Sequence, residues 1–191
     1  MKVIGCFLIV LATGVQAYGQ RQGIGLRLGE PTGITYKKYL PGNRAVEFGL
    51  GSSPRGWEYT YYRNSFEFHY PDHDHISHKV RSTVYLQGRY LIHNPISAQG
   101  VEGKFDWYWG IGLLLKSSLV EYRYQNENPP VNPVFKDDRR DIDFGPEGII
   151  GVEYTFEDVP LSVYGEFDLL VEVADRRALR FLGGLGIRYN F

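Results

Sequence analysis

In KFDWYWGIGLLLK, residues 104–116, the apolar side chains of Phe105, Trp107, Trp109, Ile111, Leu113 and Leu115 take every second position, opposed by Asp106, Tyr108, Gly110, Gly112 and Lys116. A two-residue period belongs to a β-strand, whose successive side chains point to opposite faces; on a helix the same residues would be scattered around the cylinder. The pattern recurs. EGIIGVEYTF sets Ile150, Val152, Tyr154 and Phe156 against Gly151, Glu153 and Thr155. PLSVYGEFDLLVEV sets Leu161, Val163, Phe167, Leu169 and Val171 against Ser162, Tyr164, Glu166, Asp168 and Glu172. GIGLRLG, RAVEFGLG, VYLQGRYLI and the closing FLGGLGIRYNF alternate in the same way. The chain is therefore expected to be all-β, with one greasy, aromatic face and one face of charge and glycine.

Composition agrees, with 15 Tyr, 11 Phe and 23 Gly, because aromatic residues suit a pleated surface and glycine suits turns and tight curvature. The balance of 21 basic against 22 acidic residues excludes a nucleic-acid surface. Residues 1–20, MKVIGCFLIVLATGVQAYGQ, combine an early lysine, a short apolar run and small polar residues, which reads as a secretory signal peptide. Cleavage is expected between residues 17 and 20, leaving one domain over 21–191. The only cysteine, Cys6, lies inside that leader, so neither disulfides nor thiol chemistry are expected in the exported domain. Beyond the leader no run of 18 apolar residues occurs, which rules out a helical membrane protein.

Alternation alone does not say which face meets water. A soluble lipocalin-like barrel would turn the apolar face inward around an apolar ligand, whereas a membrane barrel turns it outward to lipid and keeps charges inside. Aromatic residues at strand ends (Trp107, Tyr154, Phe156, Tyr189, Phe191) match an interfacial girdle. Tight turns at PGNR and EDVP contrast with the long, proline-rich run EYRYQNENPPVNPVFKDDRRDID, and short turns on one side with long loops on the other suit a membrane barrel. If both ends lie on one side, the strand number is even. Strands are expected over 22–29, 34–40, 44–70, 79–93, 104–119, 143–156, 160–173 and 178–191, the third being one long strand bent near GSSPRG. Loop tips would fall at EPTG, at HYPDHDHISH, in the 120–142 run and at VADRRA. The expected fold is an eight-stranded antiparallel up-and-down transmembrane β-barrel.

The polar face carries both signs of charge, and an eight-stranded barrel is only wide enough for its own side chains. Arg27, Arg89 and Arg188 are therefore expected to pair with Glu47, Glu153 and Glu166 in a sealed lumen, since buried charges are tolerable only when paired. A narrow channel for small solutes is the competing reading of the same charges. His69, His73, Asp74, His75 and His78 are metal-ligand candidates by residue type, set against the plainer reading of a hydrophilic, histidine-rich loop tip. No cofactor is expected. Neither a G-x-S-x-G elbow nor an H-E-x-x-H pair occurs, and His93 with Ser97 lies at a turn on the side of the chain ends, so catalysis is not expected.

The stretches GIGLRLGEPTGITYKKYL with RAVEFGLG, YLIHNPI, DWYWGIG, GIIGVEYTF with EDVPLSVYGEFDL, and GLGIRYNF resemble, in their order and spacing, the small outer-membrane β-barrel proteins of Bacteroidetes-type bacteria. The resemblance implies residence in the outer membrane after export, and insertion by the barrel-assembly machinery through an assembly signature at Ile187, Tyr189 and Phe191. It also implies membrane lipid as the standing partner. Most such proteins have no assigned activity, so the expected role is structural or carried by extracellular loops, and the chain is expected to be a monomer.

Overall fold

A computed structural model describes residues 21–53, 59–97, 100, 102–126, 133–174 and 177–191. The leader assigned to residues 1–20 lies outside the described residues. Eight strands follow one another around a closed ring: β1 (Gln22–Gly29), β2 (Thr32–Leu40), β3 (Arg44–Ser52), β4 (His73–Pro95), β5 (Lys104–Asn126), β6 (Phe135–Thr155), β7 (Leu161–Glu172) and β8 (Ala178–Asn190). All neighbours are antiparallel, and β1 closes the barrel on β8 with Ile24 opposite Tyr189 and Gly25 opposite Arg188. The expected eight-stranded up-and-down barrel is the observed one. Its near end carries both ends of the described chain; the far end carries the turns after β1, β5 and β7.

The register explains why the alternation is so strict. Opposed residues on neighbouring strands share a face, so a one-residue slip would turn every charge outward. As built, Ile24, Leu26, Phe48, Leu86, Ile111, Ile150, Phe167 and Phe181 point out, with Phe181 81% exposed, while Arg27, Lys37, Glu47, Arg89, Lys116, Glu153 and Arg188 are buried inside. The hydropathy of an ordinary globular core is inverted.

Two expectations fail at the far end. The predicted strand over 44–70 stops at Ser52, and residues Tyr59–His69 form a helix, α1. Its aromatic density imitates a strand, but Tyr62, Ser65 and Phe66 are buried and Arg63, Asn64, Glu67 and Phe68 exposed, which is a helical spacing of three and four. Arg63 and Glu67 add an i,i+4 pair at 3.0 Å on the outer side. The second failure concerns loops. HYPDHDHISH is not a loop tip, because β4 already begins at His73, and most of the 120–142 run is strand rather than loop. β4, β5 and β6 thus rise well past their neighbours as a three-stranded sheet, with β-bulges in β4 at His75/Ser77 and Val80/Ser82. Among the described residues no helix is long and apolar enough to cross a membrane.

Glycines on the inner face of β8 make room for long side chains. A Cβ at Gly184 would stand 2.6 Å from Arg27 Nε and 2.8 Å from its Cζ, whereas at outward Gly183 the nearest heavy atom would be 3.4 Å away. Gly184→Ala is expected to cost about 1–3 kcal/mol through displacement of Arg27, and Gly183→Ala much less. Urea unfolding of the two variants side by side checks the contrast.

Candidate functional site

The inside of the barrel is filled by tiers of paired charges, with a buried apolar cluster of Tyr85, Leu114, Leu170 and Leu182 among them. Lys37 Nζ lies 2.9 Å from Glu153 Oε2, and the Tyr39 hydroxyl donates to Glu153 Oε1 at 2.6 Å. Arg188 bridges Glu47 and Glu153, with its guanidinium 4.4 Å from the centre of the Tyr164 ring. At mid-height Arg27 meets Glu166 at 2.7 Å and Asp168 at 2.6 Å, and donates to the Pro31 carbonyl. Arg89 stands between Glu147 at 2.8 Å, Glu166 at 2.7 Å and Asp168 at 3.1 Å, with Glu47 at 3.5 Å. The Tyr108 hydroxyl donates to Glu166 Oε2 at 2.8 Å.

Above that lies a third tier. Arg180 binds Glu30 at 2.8 Å, Tyr85 donates to the same carboxylate at 2.6 Å, and Lys116 faces Asp143 at 3.2 Å. Here α1 enters the mouth. The Tyr61 hydroxyl lies 2.7 Å from Asp143 and 2.8 Å from Glu172, Tyr62 donates to Ser118 at 2.8 Å, and Lys116 Nζ sits 5.0 Å from the Tyr61 ring centre and 5.1 Å from that of Tyr62. Buried cations thus meet carboxylates at every level, and Lys37, Arg188, Lys116 and Arg180 also meet ring faces, the arrangement under which charges can leave water. The helix is a stopper whose polar side completes the tier beneath it.

Of the residues singled out by sequence, Arg27, Glu47, Arg89, Glu153, Glu166 and Arg188 all lie in this network. The particular partnerships differ from a simple three-to-three pairing, since Arg89 is also held by Glu147 and Asp168. Lys37, Lys116, Glu147 and Asp143 are absent from the expected pairs, although each occupies an inner position of its strand. Glu147 precedes the GIIG run by parity and is the most accessible signal among them. Ile187, Tyr189 and Phe191 share the outer face near the barrel's closure, where the Tyr189 and Phe191 rings stack at 6.4 Å.

The histidines separate. His69 ends α1, with Nδ1 2.8 Å from the Ser65 carbonyl oxygen, and Asp74 is exposed on the outer side of β4. His73, His75 and His78 face inward at the far end, among Tyr62, Phe66, Tyr70, Tyr122 and Tyr124. Among the described residues no three His, Cys, Asp or Glu side chains converge on a position that could hold a metal ion. What the cluster provides is packing between α1 and the raised sheet, with His75 Nε2 3.0 Å from His78 Nδ1. Burial, aided by the neighbouring His75, pushes His78 down to about 4. Burial, then Arg63, also lowers His75, against a smaller opposing pull from Glu67.

Groups whose proton affinity is lowered in the fold stabilise it fully above the unfolded value of about 6.5 and lose that contribution as pH falls toward the folded value. Amide exchange protection of α1 is therefore expected to fall between pH 6.5 and 4, after correction for intrinsic rates. In a His75→Gln/His78→Gln variant that pH dependence should disappear.

His93 is buried at the near end, stacked on Tyr108 at 5.0 Å and edge-on to Tyr39 at 5.8 Å, with Nδ1 3.5 Å from Asp106. Ser97 is exposed in the following turn. The histidine is walled by aromatic rings.

No protein-family model and no curated protein matches the chain. Solved structures with a similar course include the N-terminal β-barrel domain of OprF from Pseudomonas aeruginosa, at 13% identity over 91% of this chain and 100% of that one, with a TM-score of 0.47. Ail, the attachment invasion locus protein of Yersinia pestis, is similar at 11% identity over 89% of this chain and 93% of its own, with a TM-score of 0.45. A major outer membrane protein from Thermus thermophilus is similar at 10% identity over 89% of this chain and 99% of its own, with a TM-score of 0.32. By its own strand order and pairing, the chain is an all-β protein of eight antiparallel strands closed in a ring.

Proposed function

We propose that this chain is an outer-membrane β-barrel with a sealed lumen, non-catalytic, whose work is structural or done by the sheet raised at its extracellular end. The observation that carries this reading is the inverted polarity: a belt of exposed aliphatic and aromatic side chains around a core of mutually paired charges. Along β5 the outward apolar run from Trp107 to Leu115 is nine residues, matching the roughly 9–11 that a tilted strand needs to cross a bilayer. Phe105, Tyr154, Phe156, Tyr189 and Phe191 edge that belt at the near end, which becomes the periplasmic side. A soluble barrel with an apolar ligand inside would need Ile150 and Phe167 to line a cavity; they are 56% and 76% exposed on the outside. The ion network and α1 favour a closed barrel over a solute channel.

Membership of the Bacteroidetes-type family and insertion by the assembly machinery belong to the same proposal and rest on the sequence resemblance; a monomeric state is proposed with them. Expression in a Gram-negative host tests the core of it. The protein should fractionate with the outer membrane, require detergent for extraction, and migrate faster on a gel when unheated than when boiled. Recovery in the soluble fraction without a heat-dependent shift would overturn the reading.

A further inference from the structure

On the outer face of β4, β5 and β6, the side chains change from apolar to basic within one row of paired residues. The belt ends in the rows Leu86, Leu115, Phe144 and Val84, Ser117, Ile142. The next row is Ser82, Leu119, Arg140, and the bulge in β4 pushes Arg81 out beside it. Two further rows lie above: Lys79, Glu121, Asp138, then Ser77, Arg123, Lys136. Five exposed cations, Lys79, Arg81, Arg123, Lys136 and Arg140, thus share one patch with exposed Asp138 and the covered Glu121. In a chain of net charge -1 this is a local concentration.

The acids do not cancel it. Glu121 is already engaged by Arg81 and by Arg123 at 3.7 Å, yet both arginine side chains stay 48% exposed, leaving donors of their planar forks free to face outward. Lys79 and Arg140 make no ion pair with any described residue. Unlike Arg27, Arg89 and Arg188, which are buried among carboxylates, these two have no carboxylate partner among the described residues, and Arg81 and Arg123 share the single carboxylate of Glu121. Arg81 and Arg140 lie level with Leu119, and the apolar belt begins one row below at Val84 and Ile142.

Resting on the membrane reading above, we propose that this face binds the phosphorylated headgroup of an outer-leaflet glycolipid. Arg81 and Arg140 hold the phosphate on either side of Leu119, Lys79, Arg123 and Lys136 supply the surrounding field, and the acyl chains lie on the apolar rows below. Charge-assisted guanidinium–phosphate bonds at the edge of a low-dielectric layer are stronger than the same contacts in water.

The full chain folded in neutral detergent would be titrated with diphosphorylated lipid A and, separately, with the same lipid dephosphorylated, and bound lipid counted by native mass spectrometry. Wild type is expected to prefer the phosphorylated lipid by about tenfold or more, and to lose most of that preference between about 0.05 and 0.5 M salt. An Arg81→Gln/Arg140→Gln variant should lose it at low salt, Arg81→Lys/Arg140→Lys should keep most of it, and Arg44→Gln at the other end should leave it unchanged. Equal binding of the two lipids by wild type, an unaltered preference in the double glutamine variant, or complete displacement by millimolar inorganic phosphate would overturn the proposal. Failure of the membrane reading is distinguishable, since it shows as loss of the heat-dependent gel shift and of insertion into neutral phosphatidylcholine vesicles by wild type itself.

Discussion

Arg89→Met should lower the unfolding free energy by about 3–5 kcal/mol, the range found when one partner is taken from a buried ionic group. Arg89 is the residue through which the mid-height carboxylates are neutralised: Glu147, Glu166 and Asp168 all lie within 3.1 Å of its guanidinium, and Glu47 lies at 3.5 Å. Without it, Arg27 is the one cation among the described residues left on Glu166 and Asp168, and of its described side-chain partners Glu147 keeps the Gln87 amide at 3.2 Å. Arg89→Lys should rescue little, because one ammonium cannot reach carboxylates arrayed around a planar fork. Adding Glu147→Gln to Arg89→Met should recover part of the loss, since the two positions share one network and their effects are not additive. Urea titration of the folded fraction, read as the unheated gel band, measures all four proteins. Wild-type stability in Arg89→Met would show that the lumen charges are solvated rather than mutually neutralising.

The second large effect is expected on the opposite face. Phe167 projects from the middle of β7 between Ile150 and Gly183, 76% exposed. In water, replacing so exposed a side chain by arginine would change stability by no more than about 0.5 kcal/mol. In a bilayer an arginine at mid-depth of a barrel's outer face costs about 2–4 kcal/mol, falling toward zero at the interfaces. Phe167→Arg should therefore be strongly destabilising in vesicles, while a charge change at Lys136 on the raised sheet should be near neutral. A near-neutral Phe167→Arg in vesicles would mean that this face does not meet lipid. A charge required at Arg89 on the inner face and refused at Phe167 on the outer one together form the physical signature of the inverted barrel.

Much of this was readable from the chain because period two is a local property. Each alternating run shows which residues share a face, and the even strand count came from placing both ends on one side. Even the membership of the lumen network was largely visible, since Arg27, Arg89, Arg188, Glu47, Glu153 and Glu166 each stand opposite a greasy neighbour. The helix was less visible. YTYYRNSFEFH is as aromatic as the strands around it, and its helical pattern of Tyr62, Ser65 and Phe66 has meaning only once an inner wall of Tyr122, Val120 and Ser118 exists for it to face.

The sequence by itself determined the two faces and the order of the alternating strands, because pleat and turn chemistry act between near neighbours; the count of eight followed once both chain ends were placed on one side. Only the tertiary structure decided that Arg89 gathers carboxylates from β3, β6 and β7, that α1 stoppers the far end, and that Arg81 and Arg140 flank Leu119. Those contacts join residues brought together by closure and register, which no local period encodes.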